Sequence, residues 1–299
     1  MQTMRLGATF LLAGIVAVGC SSSSSPTAHP RRPLPVPVRG DGEMIRIDTR
    51  GGLTPIEDQL GIVPQLSIFG DGRIVVSGPV TEQYPPHALP NLLTGTLPRD
   101  AMARLVQRAR ADHLLGGGRD FGQPTVTHLP TTTVTIYDPP CLPTASCARR
   151  PPALHAYALD FTDAAVLAGL TADQRAARRQ LAGFVRTATD WATRVATKPY
   201  SASEVAIFVR TAATPLTTDG ALPGRATWPL GQLATFGSAD SPPGYRCGVL
   251  TGTDARTALA AAANATSITR WQSAGAEYTI VWLPLLPDQH QCPGWAIAR

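Results

Sequence analysis

Residues 65–77 read QLSIFGDGRIVVS, and this stretch decides the fold class. Polar and apolar residues alternate from Gln65 to Phe69, Gly70-Asp71-Gly72 supplies turn chemistry, and a strand-like pattern resumes from Arg73 to Ser77. Period-two patterning on both sides of such a turn predicts a β-hairpin. The hairpin accounts for Asp71 without a calcium ion, because Asp is a common turn residue.

Downstream, residues 93–118 read LTGTLPRDAMARLVQRARADHLLGGG. Thr96 is a candidate cap and Pro98 suits a first helical turn. Met102, Leu105, Val106 and Ala109 recur at helical spacing before Gly116-Gly117-Gly118 stops the helix. Residues 131–137 and 154–161 predict a second strand pair. Thr171-Ala-Asp-Gln174 is a capping box opening a helix whose buried face carries Leu181, Phe184, Val185 and Ala188, with Trp191 near its end. The order strand, strand, helix, strand, strand, helix predicts an α+β fold, antiparallel sheets with helices packed on one face.

A second region repeats the class. Residues 204–210 (EVAIFVR) predict a strand, and residues 214–244, rich in Pro and Gly, a surface wrap carrying Trp228. A short strand over 246–250, a helix over 255–265 and two strands over 267–272 and 277–283 complete it. The alanine-rich run 258–263, which has no polar side chain, is expected to be well covered. Leu93-Thr-Gly-Thr96 and Leu250-Thr-Gly-Thr253 echo one another; two related sub-domains would explain the echo, and shared capping needs explain it equally well. The expected boundaries are 43–195 for an N-terminal α+β domain and 196–299 for a C-terminal one.

The first twenty residues, MQTMRLGATFLLAGIVAVGC, place one charge at Arg5 ahead of an apolar run from Leu6 to Val18. That run falls short of the roughly 20 apolar residues a membrane-spanning helix needs, and has the build of an export signal. Val16-Ala17-Val18-Gly19-Cys20 resembles a bacterial lipobox, with Ala17 where Leu is most common. The resemblance implies a signal peptide over 1–19 and a diacylglycerol on Cys20, the new N-terminus. The chain would then be lipid-anchored on the extracytoplasmic face of the cell membrane. Residues 20–42, with a serine tract and PTAHPRRPLPVPVRG, read as a tether.

The four remaining cysteines are Cys141, Cys147, Cys247 and Cys292. In an exported chain an even number points to disulfides, and three pairings are possible. Cys141–Cys147 and Cys247–Cys292 are expected, since each pair lies within one region. The formal charge is +5, carried almost wholly by Arg, with Lys198 the only lysine. Arg spread along the length of an exported chain argues against nucleic acid as a partner.

The stretches LSIFGDGRIVVSG, LTGTLPRDAMARLVQRARADHLL, TTTVTIYD and HAYALDF resemble a family of actinobacterial lipoproteins of unknown function. They are also similar, more loosely, to small exported domains on a strand-pair, helix, strand-pair plan. The later stretch from Trp228 through Cys247, Trp271 and LPLLPDQHQC (residues 283–292) is similar to the second half of the same lipoproteins. The resemblance covers most of the chain after residue 60 and brings no activity, cofactor or catalytic residue with it.

No Gly-x-Ser-x-Gly elbow, His-Glu-x-x-His pair, phosphate loop or dinucleotide fingerprint occurs. The six histidines, His29, His87, His113, His128, His155 and His290, are scattered. His155 and Asp160 are expected on opposite faces of a strand, and His113 in the last turn of a helix. Arg175, Arg178 and Arg179 are expected to form a solvated basic face. No catalytic residue, metal site or cofactor is assigned. The expectation is a non-enzymatic envelope lipoprotein. Its partners would be the membrane through Cys20 and an envelope protein or small apolar ligand. The alternatives are an envelope hydrolase assembled from distant segments and a lipid carrier.

Overall fold

The computed structural model describes residues 42–137, 151–212, 221–239 and 242–294. Cys20, the tether before residue 42, and Cys141 with Cys147 lie outside these residues. The first half of the chain forms β1 (Glu43–Gly51), α1 (Ile56–Leu60), β2 (Leu66–Phe69), β3 (Arg73–Ser77), β4 (Leu92–Thr96) and α2 (Arg99–Ala111). It continues with β5 (Pro130–Ile136), β6 (Leu154–Tyr157), α3 (Ala164–Leu167), α4 (Ala172–Val195) and the two-residue β7 (Lys198–Pro199). The second half forms β8 (Glu204–Thr211), β9 (Arg225–Thr227), β10 (Arg246–Thr251), α5 (Gly252–Ala262), β11 (Arg270–Ser273) and β12 (Ala276–Pro284).

These strands make a seven-stranded sheet, β6-β5-β1-β2-β3-β4-β7, and a five-stranded sheet, β10-β8-β12-β11-β9. All neighbours are antiparallel except β9, which runs parallel to β11. The fold is α+β. Both sheets belong to one compact unit.

The hairpin at Gly70-Asp71-Gly72 is β2–β3, with Leu66 facing Val76 and Ile68 facing Ile74. Its neighbour β1 is absent from the sequence expectation. Met44 and Ile45 are consecutive, yet both enter the same core. The strand accommodates them through a register shift between Glu43 and Ile45 against β2, the effect of an inserted residue. Beyond the shift, Arg46, Asp48 and Arg50 take the alternate positions that face away from the helices.

Two further local expectations are corrected. Leu92–Thr96 is β4, so Thr96 ends a strand; Pro98 is the residue that precedes α2, and no side chain caps it. Proline at that position sets the entry angle and has no N–H to leave unpaired. Thr171, by contrast, caps α4 in a full box with Gln174. The Leu-Thr-Gly-Thr echo marks a strand running into a helix in both halves. The topology around it differs: the following hairpin joins its sheet through its first strand (β5 on β1) in one half and its second (β12 on β8) in the other.

Each sheet has an outer and an inner face. On the outer face of the seven-stranded sheet, α2 and α4 pack Met102, Leu105, Val106, Leu181 and Phe184 against Ile45, Ile47, Leu66, Ile68, Ile74 and Val134. Helix α4 closes on β4 at Gly95, where a β-carbon would meet the Val195 carbonyl at 2.0 Å, so only glycine fits. On the outer face of the five-stranded sheet, α5 buries Ala255, Ala258 and Ala262 beside a trio of indoles, Trp228, Trp271 and Trp282, 5.5–6.1 Å apart between centroids. Ala260 and Ala263 of the alanine run are exposed, so its cover is one-sided.

The inner faces share a middle layer. Phe69, Val75 and Leu92 of the first sheet pack on Leu286 and Val63. Ala206, Phe208, Cys247 and Leu283 of the second pack on Leu60, Leu285 and, again, Val63. The β3–β4 connection also reaches across, where Ala88 N–H donates to the Ala265 carbonyl and Ser267 N–H to the Pro86 carbonyl, both at 2.9 Å.

Candidate functional site

Among the described residues, a dense grouping of ionisable side chains lies on the inner face of the seven-stranded sheet. Burial works against the charge of the Arg46 guanidinium, but the carboxylates of Asp48 and Glu43 outweigh it and raise its pKa above the ordinary value. Arg46 Nε lies 2.6 Å from Asp48 Oδ2, and a terminal nitrogen 3.6 Å from Glu43 Oε1. Arg50 Nε adds a contact of 3.4 Å to Asp48. Ser67 is fully buried and donates its hydroxyl to Glu43 Oε1 at 2.6 Å.

This is a closed ion network. Every carboxylate in it already accepts from a cation or a hydroxyl, as buried charges require. Ser67 has the acceptor a nucleophile would need, but it offers no accessible oxygen to a substrate. The network fixes the register of β1 against β2, and the negative charge of Asp288, in the segment after β12, acts on the same guanidinium.

A second grouping joins α1 to the five-stranded sheet. Partial burial opposes ionisation of Glu57, but the Tyr245 hydroxyl, a backbone N–H and Arg210 stabilise its carboxylate and lower its pKa. Tyr245 donates at 2.6 Å and an Arg210 terminal nitrogen lies at 2.7 Å. The Arg210 guanidinium sits 5.0 Å above the Tyr245 ring, a cation–π contact. Burial first, then Glu57, pushes the Tyr245 phenol well above its ordinary value. Tyr200 completes the middle layer by donating to the Leu285 carbonyl at 2.8 Å. Burial is the chief cause that pushes its phenol up to about 12.

Cys247 and Cys292 form a disulfide, 45 residues apart in sequence. It fastens the segment after β12 to β10 within the inner core. His290 Nδ1, two residues before Cys292, lies 3.0 Å from Glu204 Oε1 at the exposed rim. His155 faces Thr133 at 3.1 Å, whereas Asp160 lies beyond the end of β6, in a turn. The two are therefore not on one strand. His113 follows α2 in left-handed backbone with φ 53°, two residues beyond the end of the helix. Asp71 accepts from the Arg73 backbone N–H at 2.8 Å within the hairpin turn.

The expected basic face of Arg175, Arg178 and Arg179 is corrected. Arg178 is buried and donates to the carbonyls of Phe121 and Ala158, and burial lowers its pKa below the ordinary value. Arg175 turns back to the Leu170 carbonyl, and Arg179 is exposed. Among the described residues no three His, Cys, Asp or Glu side chains come close enough together to hold a metal ion. No helix among them is long and apolar enough to cross a membrane.

Sequence reading missed the Glu43–Arg46–Asp48–Ser67 network and the Glu57–Tyr245–Arg210 trio. The alternation of Arg46, Asp48 and Arg50 with Ile45 and Ile47 was the one available signal for the first. No family model matches the chain, and no curated protein or solved structure matches it either.

Proposed function

We propose that this chain is a cell-envelope lipoprotein, acylated on Cys20, whose folded body binds an envelope protein or a small ligand. The observation that carries the reading is the sequence Val16-Ala17-Val18-Gly19-Cys20 closing the apolar run from Leu6 to Val18. A serine and proline tract follows it, and the first strand among the described residues starts at Glu43. Two or more acyl chains, at about 0.8 kcal/mol per buried methylene, hold a protein durably on a bilayer. The disulfide between Cys247 and Cys292 suits an oxidising compartment. Binding is favoured over catalysis because the inner carboxylates are committed to Arg46, Ser67, Arg210 and Tyr245.

The test is metabolic labelling of the full chain with an alkynyl fatty acid in a high-GC Gram-positive host. The parent incorporates label and fractionates with membranes. Cys20→Ala loses the label and enters the medium or accumulates uncleaved. Label retained by Cys20→Ala overturns the reading. Native mass spectrometry of the unlipidated mature chain then reports whether a ligand of defined mass stays bound.

A further inference from the structure

The charge of the described body is strongly divided. Helices α2 and α4 together carry nine arginines against three aspartates. The remaining described residues carry ten basic side chains against fourteen acidic ones. The two helices are therefore positive by six charges and the rest of the described residues negative by four, although Asp112 and Asp120 of the latter lie against Arg108 of α2 and Gln174 of α4. Only Arg178 of the nine is buried. Arg104 and Arg108 pair with Asp100 and Asp112 on α2 and just beyond it. Arg99, Arg179, Arg186 and Arg194 are exposed, and no carboxylate pairs with them among the described residues. Arg179 and Arg186 are seven residues apart, which places them on one stripe of α4, opposite the buried Leu181, Phe184 and Ala188.

The position of this face relative to the incoming chain is also fixed. Gly70 N–H donates to the Gly42 carbonyl at 2.9 Å, and Leu97 N–H to the Gly72 carbonyl at 2.8 Å. Residue 42 thus enters at the end of the sheet where the β2–β3 turn and the start of α2 meet, beside Arg99. The last turn of α4, with Arg194, closes over β4 at Gly95, next to the same end.

We propose that this arginine face docks on the anionic phospholipid headgroups of the membrane to which the chain is tethered. The inference rests on the lipoprotein reading for its geometry. A tether joined beside the face keeps it at high effective concentration near the headgroups. Clustered arginines opposite phosphate gain both long-range attraction and paired hydrogen bonds.

The experiment uses the mature chain carrying Cys20→Ser, so that inserted lipid does not mask docking. Cosedimentation is measured with vesicles containing about one-third phosphatidylglycerol and with pure phosphatidylcholine, at about 50 mM salt and again at high salt. The expected result is binding that needs phosphatidylglycerol and fades with salt. It should weaken more than about tenfold in the Arg99→Gln, Arg179→Gln, Arg186→Gln, Arg194→Gln quadruple variant. The matching quadruple Lys variant keeps binding, and unchanged helix content in both shows that neither has unfolded. Equal binding to both vesicles overturns the proposal. So does loss of binding in Arg31→Gln, Arg32→Gln, Arg39→Gln with none in the helix variant, which would assign it to the tether. Preference for a soluble poly(glycerol phosphate) over vesicles overturns the choice of lipid. Failure here leaves acylation of Cys20 standing, because the labelling test does not depend on the helix face.

Discussion

The two sheets solve one packing problem with different materials. The seven-stranded sheet is covered by two long helices that bring large side chains, Met102, Leu105, Leu181 and Phe184, down to it. The five-stranded sheet is covered by a short helix that brings only methyl groups, Ala255, Ala258 and Ala262, and the space is filled by Trp228, Trp271 and Trp282. A small-faced helix lies close to its sheet, so large residues must come from the strands and the wrapping segment instead. The inner faces differ in the same way. One carries an ion network, and the other carries an apolar patch closed by a disulfide. Volume and charge balance are met in both; which element supplies them is free.

The sharpest way to break this comparison is to cut the disulfide. The Cys247→Ala, Cys292→Ala variant is expected to lose about 4 kcal/mol by the chain-entropy model. Urea unfolding read by tryptophan fluorescence and by helix ellipticity should shift together, because one middle layer serves both sheets. A shift in fluorescence alone would make them separate cooperative units.

Arg46→Met attacks the other inner face. It leaves Glu43 and Asp48 buried without their shared cation, and a loss of about 3 kcal/mol is expected in the same unfolding assay. Thr171→Ala removes the side-chain half of the α4 capping box and should cost about 1 kcal/mol. It should leave the tryptophan environment of the five-stranded sheet unchanged, as near-ultraviolet dichroism would show.

The smallest expected effect comes from Glu57→Gln, since this pair is half exposed and screened by solvent. Its consequence is in the pH profile. The folded carboxylate lies below its ordinary value of 4.5, so its contribution is present above that pH and lost as pH falls through the folded value. The substitution should flatten the acid limb of the stability curve, measured as the urea midpoint from about pH 6 to about pH 3.

Much of the fold is legible in the sequence, for identifiable reasons. The β2–β3 hairpin announces itself by its turn, and α4 by its capping box and one-sided apolar face. Strand β8 and the β11–β12 pair are legible because β-branched and aromatic residues crowd into short runs. Strand β1 is not, because both its faces are buried and one is covered by ion pairs; Arg46 and Asp48 then look like surface. Arg178 is misread for the complementary reason. Its neighbours Arg175 and Arg179 are surface residues, and only the tertiary carbonyls of Phe121 and Ala158 make its burial tolerable. The inner networks join residues far apart in the chain, Glu57 with Tyr245 above all, and no local pattern encodes such a meeting.

The middle layer has a consequence for the order in which the molecule can be built. Every strand of the first sheet has been synthesised once Pro199 has been made. Phe69, Val75 and Leu92 nevertheless have no Leu286 to cover them until much of the second half has been synthesised. Helix α1 meets β8 soon after the first sheet is made but waits almost as long as these residues for β12. The nascent first half therefore displays an apolar inner surface for the whole interval. Whatever shields that surface during synthesis must let go when the segment around Leu285 and Leu286 arrives.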